Sequence, residues 1–456
     1  MTAPAAHADE PRPGAPTVLV SGSGVAGPAL ALRLARHGLR PTVVEIAPAL
    51  RPGGQAVDFR GETQLRVLRR MGILDELHRV RTGGSTMTFV DADGRQLLHL
   101  PAEFTGGDIE VLRGDLSRVL HEASLAAGAE YVFGDSVTSL AETATGVDVT
   151  FRHAPPRSFD LVVGADGLHS NVRSLAFGPD ADHVTHLGHY AATWSLSNHL
   201  DLDLRPGAGS LGHNTPGRPA SVAADHTDPT RARAFMVFAS PELAYDRHDP
   251  QAHKRLLRRA FAGMPWRVDR LLDSLDTADD LYFDSISRAD APAWSTGRIA
   301  LLGDAACGAT IGGMGTGTAI LGAYVLAGEL SRSPGDHRGA FRRYESLLRA
   351  YAQERQKGGD RTGRFLAPSS MLGLRLRNTA LSRRRVLAWT LRTAKEGTTL
   401  TLGRLFRILP GPARPARHLA ALSGHPSTPS TRAPLRLARH RTGRPGPTRQ
   451  DPKETT

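Results

Sequence analysis

The stretch Val18-Leu-Val-Ser-Gly-Ser-Gly-Val-Ala-Gly27 decides the reading of this chain. A short apolar run, Thr17–Ser21, leads into Gly22, Gly24 and Gly27, and a helical pattern, Val25–Arg36, leaves them. Strand, glycine turn and helix in that order make a dinucleotide-binding loop. The first glycine permits the tight turn, the second lets backbone approach a pyrophosphate, and the third lets helix pack on strand. The helix start, with Val25 and Ala26, adds free amides and partial positive charge for the anion. Gly38, just past the helix, suits its C-terminal cap.

Working outward, Thr42–Glu45 reads as the next strand, and Glu45 stands 18 residues after Gly27. An acid there accepts hydrogen bonds from an adenosine ribose and repels a ribose 2′-phosphate, so FAD or NAD fits this loop and NADP does not. Gly207, Gly209 and Gly212 repeat the same glycine spacing without a strand before or a helix after, and read as a loop.

Two later segments carry a family resemblance. Asp160-Leu-Val-Val-Gly-Ala-Asp-Gly-Leu-His-Ser-Asn-Val-Arg173 reads as strand, turn and helix. Its Asp166, Gly167, Ser170 and Arg173 resemble the Asp-Gly motif of the class A FAD-dependent monooxygenases, the para-hydroxybenzoate hydroxylase type. In that family the motif touches FAD and helps to receive a nicotinamide cofactor. Gly303-Asp304-Ala305-Ala306, after the run Arg298–Leu302, is similar to the family's second FAD motif, whose aspartate holds the ribityl chain. The glycines that follow, with Gly313 and Gly315, would lie along the flavin. The chain departs from the family at Cys307, where a histidine is usual, and at Ala309, Thr310 and Ile311, where prolines are usual. Arg51–Arg60 lies where the family's chain passes the flavin, and Arg113 where an arginine reaches FAD.

The resemblance implies a Rossmann-like α/β FAD-binding domain with an interleaved, mostly antiparallel β-sheet substrate domain and C-terminal helices. The expected divisions are a disordered 1–16, FAD-binding segments 17–178 and 291–360, a substrate sheet at 179–290, helices over 361–410 and a disordered basic tail at 411–456. Within these, the spacing predicts helices at Thr63–Arg79, Leu116–Ala127 and Gln251–Ala262. It predicts strands at Asp160–Gly164, Ala191–Leu196 and Ala234–Ala239.

The implied activity is an FAD-dependent monooxygenase. NADPH or NADH reduces FAD, O2 adds to give a hydroperoxide, and one oxygen passes to a hydrophobic aromatic or polyketide-like molecule. Hydroxylation is the leading outcome. Epoxidation, Baeyer–Villiger insertion, or a reductase or desaturase reaction on the same fold, are alternatives. A halogenase is disfavoured because the four tryptophans stand alone. The implied cofactor is FAD, and the partners are O2, NAD(P)H and a small organic substrate. The expected protein is a cytoplasmic monomer or homodimer. No residue is assigned a catalytic role; Tyr190 and His213 are candidate pocket residues.

Composition adds limits. One cysteine, Cys307, excludes an intrachain disulfide and a cysteine-built zinc site. His183, His186 and His189 recur every third residue, a spacing that alternates faces on a strand, so no metal is expected. The formal charge of +12 is uneven: residues 361–456 carry 20 Lys/Arg against 3 Asp/Glu, leaving the motif-bearing part net negative. The arginine-rich end has few interleaved aromatics, so it reads as a solvated tail rather than a nucleic-acid or membrane-surface patch. Between Asp304 and Glu329 no residue is charged, but five of the first residues are glycines. That reads as a glycine loop feeding a buried helix, not a membrane span.

Overall fold

The computed structural model describes residues 14–387, apart from 52–53, 83, 85, 103–106, 199–208, 226–227, 248, 310–314 and 384. The expected tail at 411–456 and the end of the helical segment beyond 387 therefore lie outside the described residues.

The apolar run Thr17–Ser21 is the central strand of a six-stranded sheet. It pairs in parallel with Arg40–Glu45 on one side and Leu161–Gly164 on the other. Glu130–Phe133 and Ile299–Leu301 extend the parallel array, and Ser295–Thr296 closes one edge antiparallel. Val18, Leu19, Val20, Val43 and Val163 are without exposure, as parallel strands covered on both faces must be. Covering helices include Ala26–Arg36, which packs on Arg113–Ala126 and on Gly315–Arg332. The uncharged segment from Gly315 onward is thus a buried helix of this layer, and among the described residues no helix is long and apolar enough to cross a membrane.

The predicted helix over Thr63–Arg79 is two helices, Gly61–Arg70 and Leu74–Arg79. Gly72, at φ +65°, breaks the run; helical spacing on either side hides such a turn. The predicted strand Ala191–Leu196 is longer, Val184–Ser197, with a register shift between His186 and His189.

The second layer is an eight-stranded sheet. Its order is Gly308–Ala309, Tyr282–Asp290, Val184–Ser197, Arg231–Ala239, Arg218–Ala224, Ser210–Thr215, Met87–Val90 and Gln96–Leu100. Most pairs are antiparallel; Ser210–Thr215 with Met87–Val90 is parallel. Two of these strands, Met87–Val90 and Gln96–Leu100, come from inside the span 17–178 expected to build only the first layer. They are short, and Gln96–Leu100 is the edge strand, so their sequence carries little signal of which sheet they join.

One face of this sheet is apolar and closed. Trp194, Met236, Phe238 and Phe283 pack there with Leu257 and Phe261 of the helix Pro250–Phe261 and Leu271 of Val268–Asp273. Tyr190 and His213 belong to this closed side. The Tyr190 hydroxyl accepts from the Leu243 amide, and His213 hydrogen-bonds the Val90 carbonyl beside Trp266. Neither is a pocket residue on the open face; strand alternation, not residue type, decides the side. The spare glycine triplet, read as a loop, differs in part: Gly212 lies within the strand Ser210–Thr215, a second strand and not a helix follows, and Gly207 is outside the described residues.

Candidate functional site

The three motifs meet because their strands are neighbours. Thr17–Ser21, Leu161–Gly164 and Ile299–Leu301 run parallel, so the turns after them gather at one end of the sheet. Glu45 ends the fourth strand at the same end. Successive chain segments leave to opposite sides of the central strand, which opens a crevice at the strand tips.

The glycines are needed for contact as well as conformation. Gly22 has φ +103°, and a β-carbon on it would lie 2.6 Å from the Ala165 carbonyl oxygen. A β-carbon on Gly27 would lie 1.9 Å from the Gly22 oxygen. One on Gly24 would meet only the Arg113 guanidinium, at 3.5 Å. Arg113 thus lies over the loop, and its side chain also packs on Gly54 (φ +99°), which brings the Arg51–Arg60 segment alongside. A β-carbon on Gly303, at φ +64°, would lie 3.1 Å from the Ala26 methyl, so the third motif packs closely on the first residue of the loop's helix. Gly167, at φ +82°, has open space where a side chain would go.

The carboxylates have distinct settings. Glu45 accepts from the Ser23 amide at 2.7 Å and the Ala47 amide at 2.9 Å, bracing the glycine turn. Asp166 accepts from Ser21 and Ser170 hydroxyls and the Val172 amide, tying the second motif to the first. Burial pushes its carboxyl above the ordinary range against those bonds. Arg173 is fully buried and donates to the carbonyls of Leu168 and Ala305 and to Asp180, which ties the second motif to the third. Asp304 is surrounded by protein yet keeps accessible surface, so it lines the crevice. Burial raises its carboxyl and nearby Arg113 pulls it down. Gly313 lies outside the described residues, and Gly315 opens the helix Gly315–Arg332.

Tyr282 was not singled out from sequence. It sits on the open face of the eight-stranded sheet and within electrostatic reach of both Arg113 and Asp304; burial and the neighbouring Asp284 raise its phenol. No signal in a single sequence marks it, because a tyrosine on a strand is ordinary. Beside it the open face is apolar, with Ala191, Val237 and Ile286 buried together and Phe235 against them. Cys307 is buried and its thiol is pushed up to about 12 by that burial. His183, His186 and His189 each bond a backbone carbonyl, and no metal-holding group occurs among the described residues.

A side-chain-free turn at a helix start, an arginine over it and a deep aspartate across the crevice fit a long phosphate-bearing dinucleotide such as FAD. Gly24 and Gly167 leave backbone open to such a ligand, since an added β-carbon would meet only the Arg113 guanidinium at the first and nothing at the second.

Comparison with known proteins agrees. The model of the FAD binding domain family matches residues 16–365. An uncharacterised Mycobacterium tuberculosis protein is 42% identical over 349 residues, 75% of this chain and 91% of that one. A flavin-dependent monooxygenase of Legionella longbeachae is 36% identical, over 75% of this chain and 87% of its own. The crystal structure of the tetracycline destructase Tet(51) superposes with a TM-score of 0.73 at 31% identity, covering 85% of this chain and 99% of that one. These matches span the whole two-layer fold and its crevice, and the chain belongs to the FAD-binding flavin-dependent monooxygenases.

Proposed function

We propose that this enzyme draws electrons from NAD(P)H and, with O2, hydroxylates a hydrophobic aromatic or polyketide-like small molecule. The observation that carries the reading is the open face of the eight-stranded sheet. Leu187 and Phe235, half-buried over the buried Ala191, Val237 and Ile286, make that face apolar beside Tyr282, which lies within electrostatic reach of Arg113 and Asp304. A flat apolar floor edged by polar groups suits a ring system. The relative named tetracycline destructase supports the same substrate class.

In this reading Gly22, Gly24, Val25, Ala26 and Gly27 take the pyrophosphate and Glu45 the ribose. Arg113 and Gly24 close over the phosphates. Asp166 and Gly167 form the floor of the turn, and Gly303 and Asp304, with Gly313 and Gly315, hold the flavin end. Bound FAD supplies the electron transfer from nicotinamide to oxygen. The protein supplies position and dryness. Among the described residues no second unit of the Gly22–Gly27 type occurs, so NAD(P)H docks transiently on the same layers. We place the enzyme in the cytoplasm.

The test is NADPH and NADH oxidation by the purified yellow protein, with and without O2, against a panel of ring compounds. Product carrying one atom of labelled O2 is the expected result. Product formed equally without O2 points instead to a reductase or desaturase and sinks the proposal.

A further inference from the structure

A line of hydrogen-bonding groups runs from the crevice to the surface through a residue of the second motif that the cofactor site does not use. Tyr282 and Asp284 share the open face of their strand. The Tyr282 hydroxyl donates to Asp284 Oδ2 at 3.4 Å, and Asp284 Oδ1 also accepts from the Ser285 amide. His169 follows the Asp166-Gly167 turn. Its Nε2 lies 3.5 Å from Asp284 Oδ1 and its Nδ1 3.1 Å from Asp180 Oδ2. Asp180 and His169 are each nearly a third exposed, while Tyr282 is in reach of Arg113 and Asp304. The line therefore has one end in solvent and one in the crevice.

We propose that His169, Asp284 and Tyr282, with Asp180 holding the imidazole, form the path by which a solvent proton enters the crevice during turnover. The proposal rests on the functional reading above, whose stoichiometry requires it. Substrate, O2, NAD(P)H and one proton give hydroxylated substrate, NAD(P)+ and water. Tyr282 releases its phenolic proton to the crevice and is reprotonated by Asp284, Asp284 by the Nε2–H of the imidazolium, and the vacated Nε2 by solvent, while Asp180 keeps the Nδ1–H. One proton enters and one leaves, and no other bond changes. Two links are long, but proton-transfer contacts commonly tighten only when ligand binds.

The charges facing His169 favour a proton reservoir. Asp180 and Asp284 hold the imidazole protonated, raised to about 9, against burial and the nearby Arg247. Asp180 is itself pulled down to about 2, because His169 and Arg173 outweigh its burial. The imidazolium is thus loaded at neutral pH and flanked by two carboxylates.

The test uses the flavin-loaded parent and His169→Gln. The variant is expected to keep the parent's flavin content and substrate KM. Its turnover should fall by roughly a hundredfold, the low end for a lost acid–base group. Added imidazole should restore turnover in proportion to its concentration. In the flavin-free protein, NMR of labelled histidine should find His169 titrating near 9, and Asp284→Asn should lower that value. Parent-like turnover at every pH overturns the path. So does a loss that imidazole does not repair, which indicates a structural role, and so does a His169 titration that Asp284→Asn leaves unmoved. A parent that oxidises NADPH but oxygenates no ring compound overturns only the functional reading. Peroxide formation from NADPH and O2 also takes up one proton, so the same readouts still decide the path.

Discussion

Replacing Gly27 by alanine tests the packing that builds the site. The new methyl would lie 1.9 Å from the Gly22 oxygen, whereas ordinary contact begins at 3.4 Å, so helix and loop must part by about 1.5 Å. Overpacking of this kind costs roughly 1–3 kcal/mol, and alanine's better helix propensity returns up to about 1 kcal/mol. The flavin-free protein should therefore lose about 1–2 kcal/mol, a fall of a few degrees in apparent melting temperature. Binding should suffer more. A 1.5 Å shift takes the loop amides out of hydrogen-bond range of a phosphate. Losing two charge-assisted bonds at about 1.5 kcal/mol each gives roughly 3 kcal/mol, about 100-fold in affinity. Gly24→Ala is the control. Its methyl would meet only the Arg113 guanidinium at 3.5 Å, and Gly24 has no positive φ, so the flavin-free melting temperature should hold or rise slightly while affinity still falls. Both are read by titrating stripped protein with FAD and by melting the flavin-free protein at one scan rate. A Gly27→Ala protein that melts like the parent and purifies fully yellow would refute the close junction on which the site depends.

Asp304→Asn should weaken FAD about tenfold by flavin titration, the loss of roughly one hydrogen bond to a charged group. Without flavin it should melt at or above the parent at neutral pH. The parent's carboxyl is raised by burial, so the folded state binds the extra proton and stability rises as pH falls; the gap between the two should close as the pH approaches the ordinary carboxylate range. A gap that widens on acidification would contradict the sign. Arg173→Met should cost about 3–5 kcal/mol, seen in thermal melts, because Asp180 and two carbonyls lose a buried partner; a loss under about 1 kcal/mol would deny that Arg173 ties the motifs. Tyr190→Phe should cost about 1 kcal/mol of stability by orphaning the Leu243 amide and leave turnover unchanged, while Tyr282→Phe should lower turnover with little change in melting; the reverse pattern would mean the two faces of the sheet are misassigned.

Much of the first layer was legible because its signals are local. A strand feeding a glycine turn and a helix constrains its own backbone, so Thr17–Ser21, Ala26–Arg36 and the turn between them follow from a dozen residues. The second and third motifs were legible through resemblance, and their meeting follows once their strands pair with the first. The break at Gly72 was not, since periodicity continues across it.

By itself, then, the amino-acid order determined the glycine turn, the strand–helix texture and the cofactor class, all properties of short segments with their own steric demands. Tertiary structure alone decided which side chains share the crevice. Met87–Val90 joined the second sheet, Tyr190 and His213 turned to its closed side, and Tyr282 came to face Arg113 and Asp304. Those outcomes depend on register and on which face each strand buries, and both are set by partners that lie tens to hundreds of residues away in the chain.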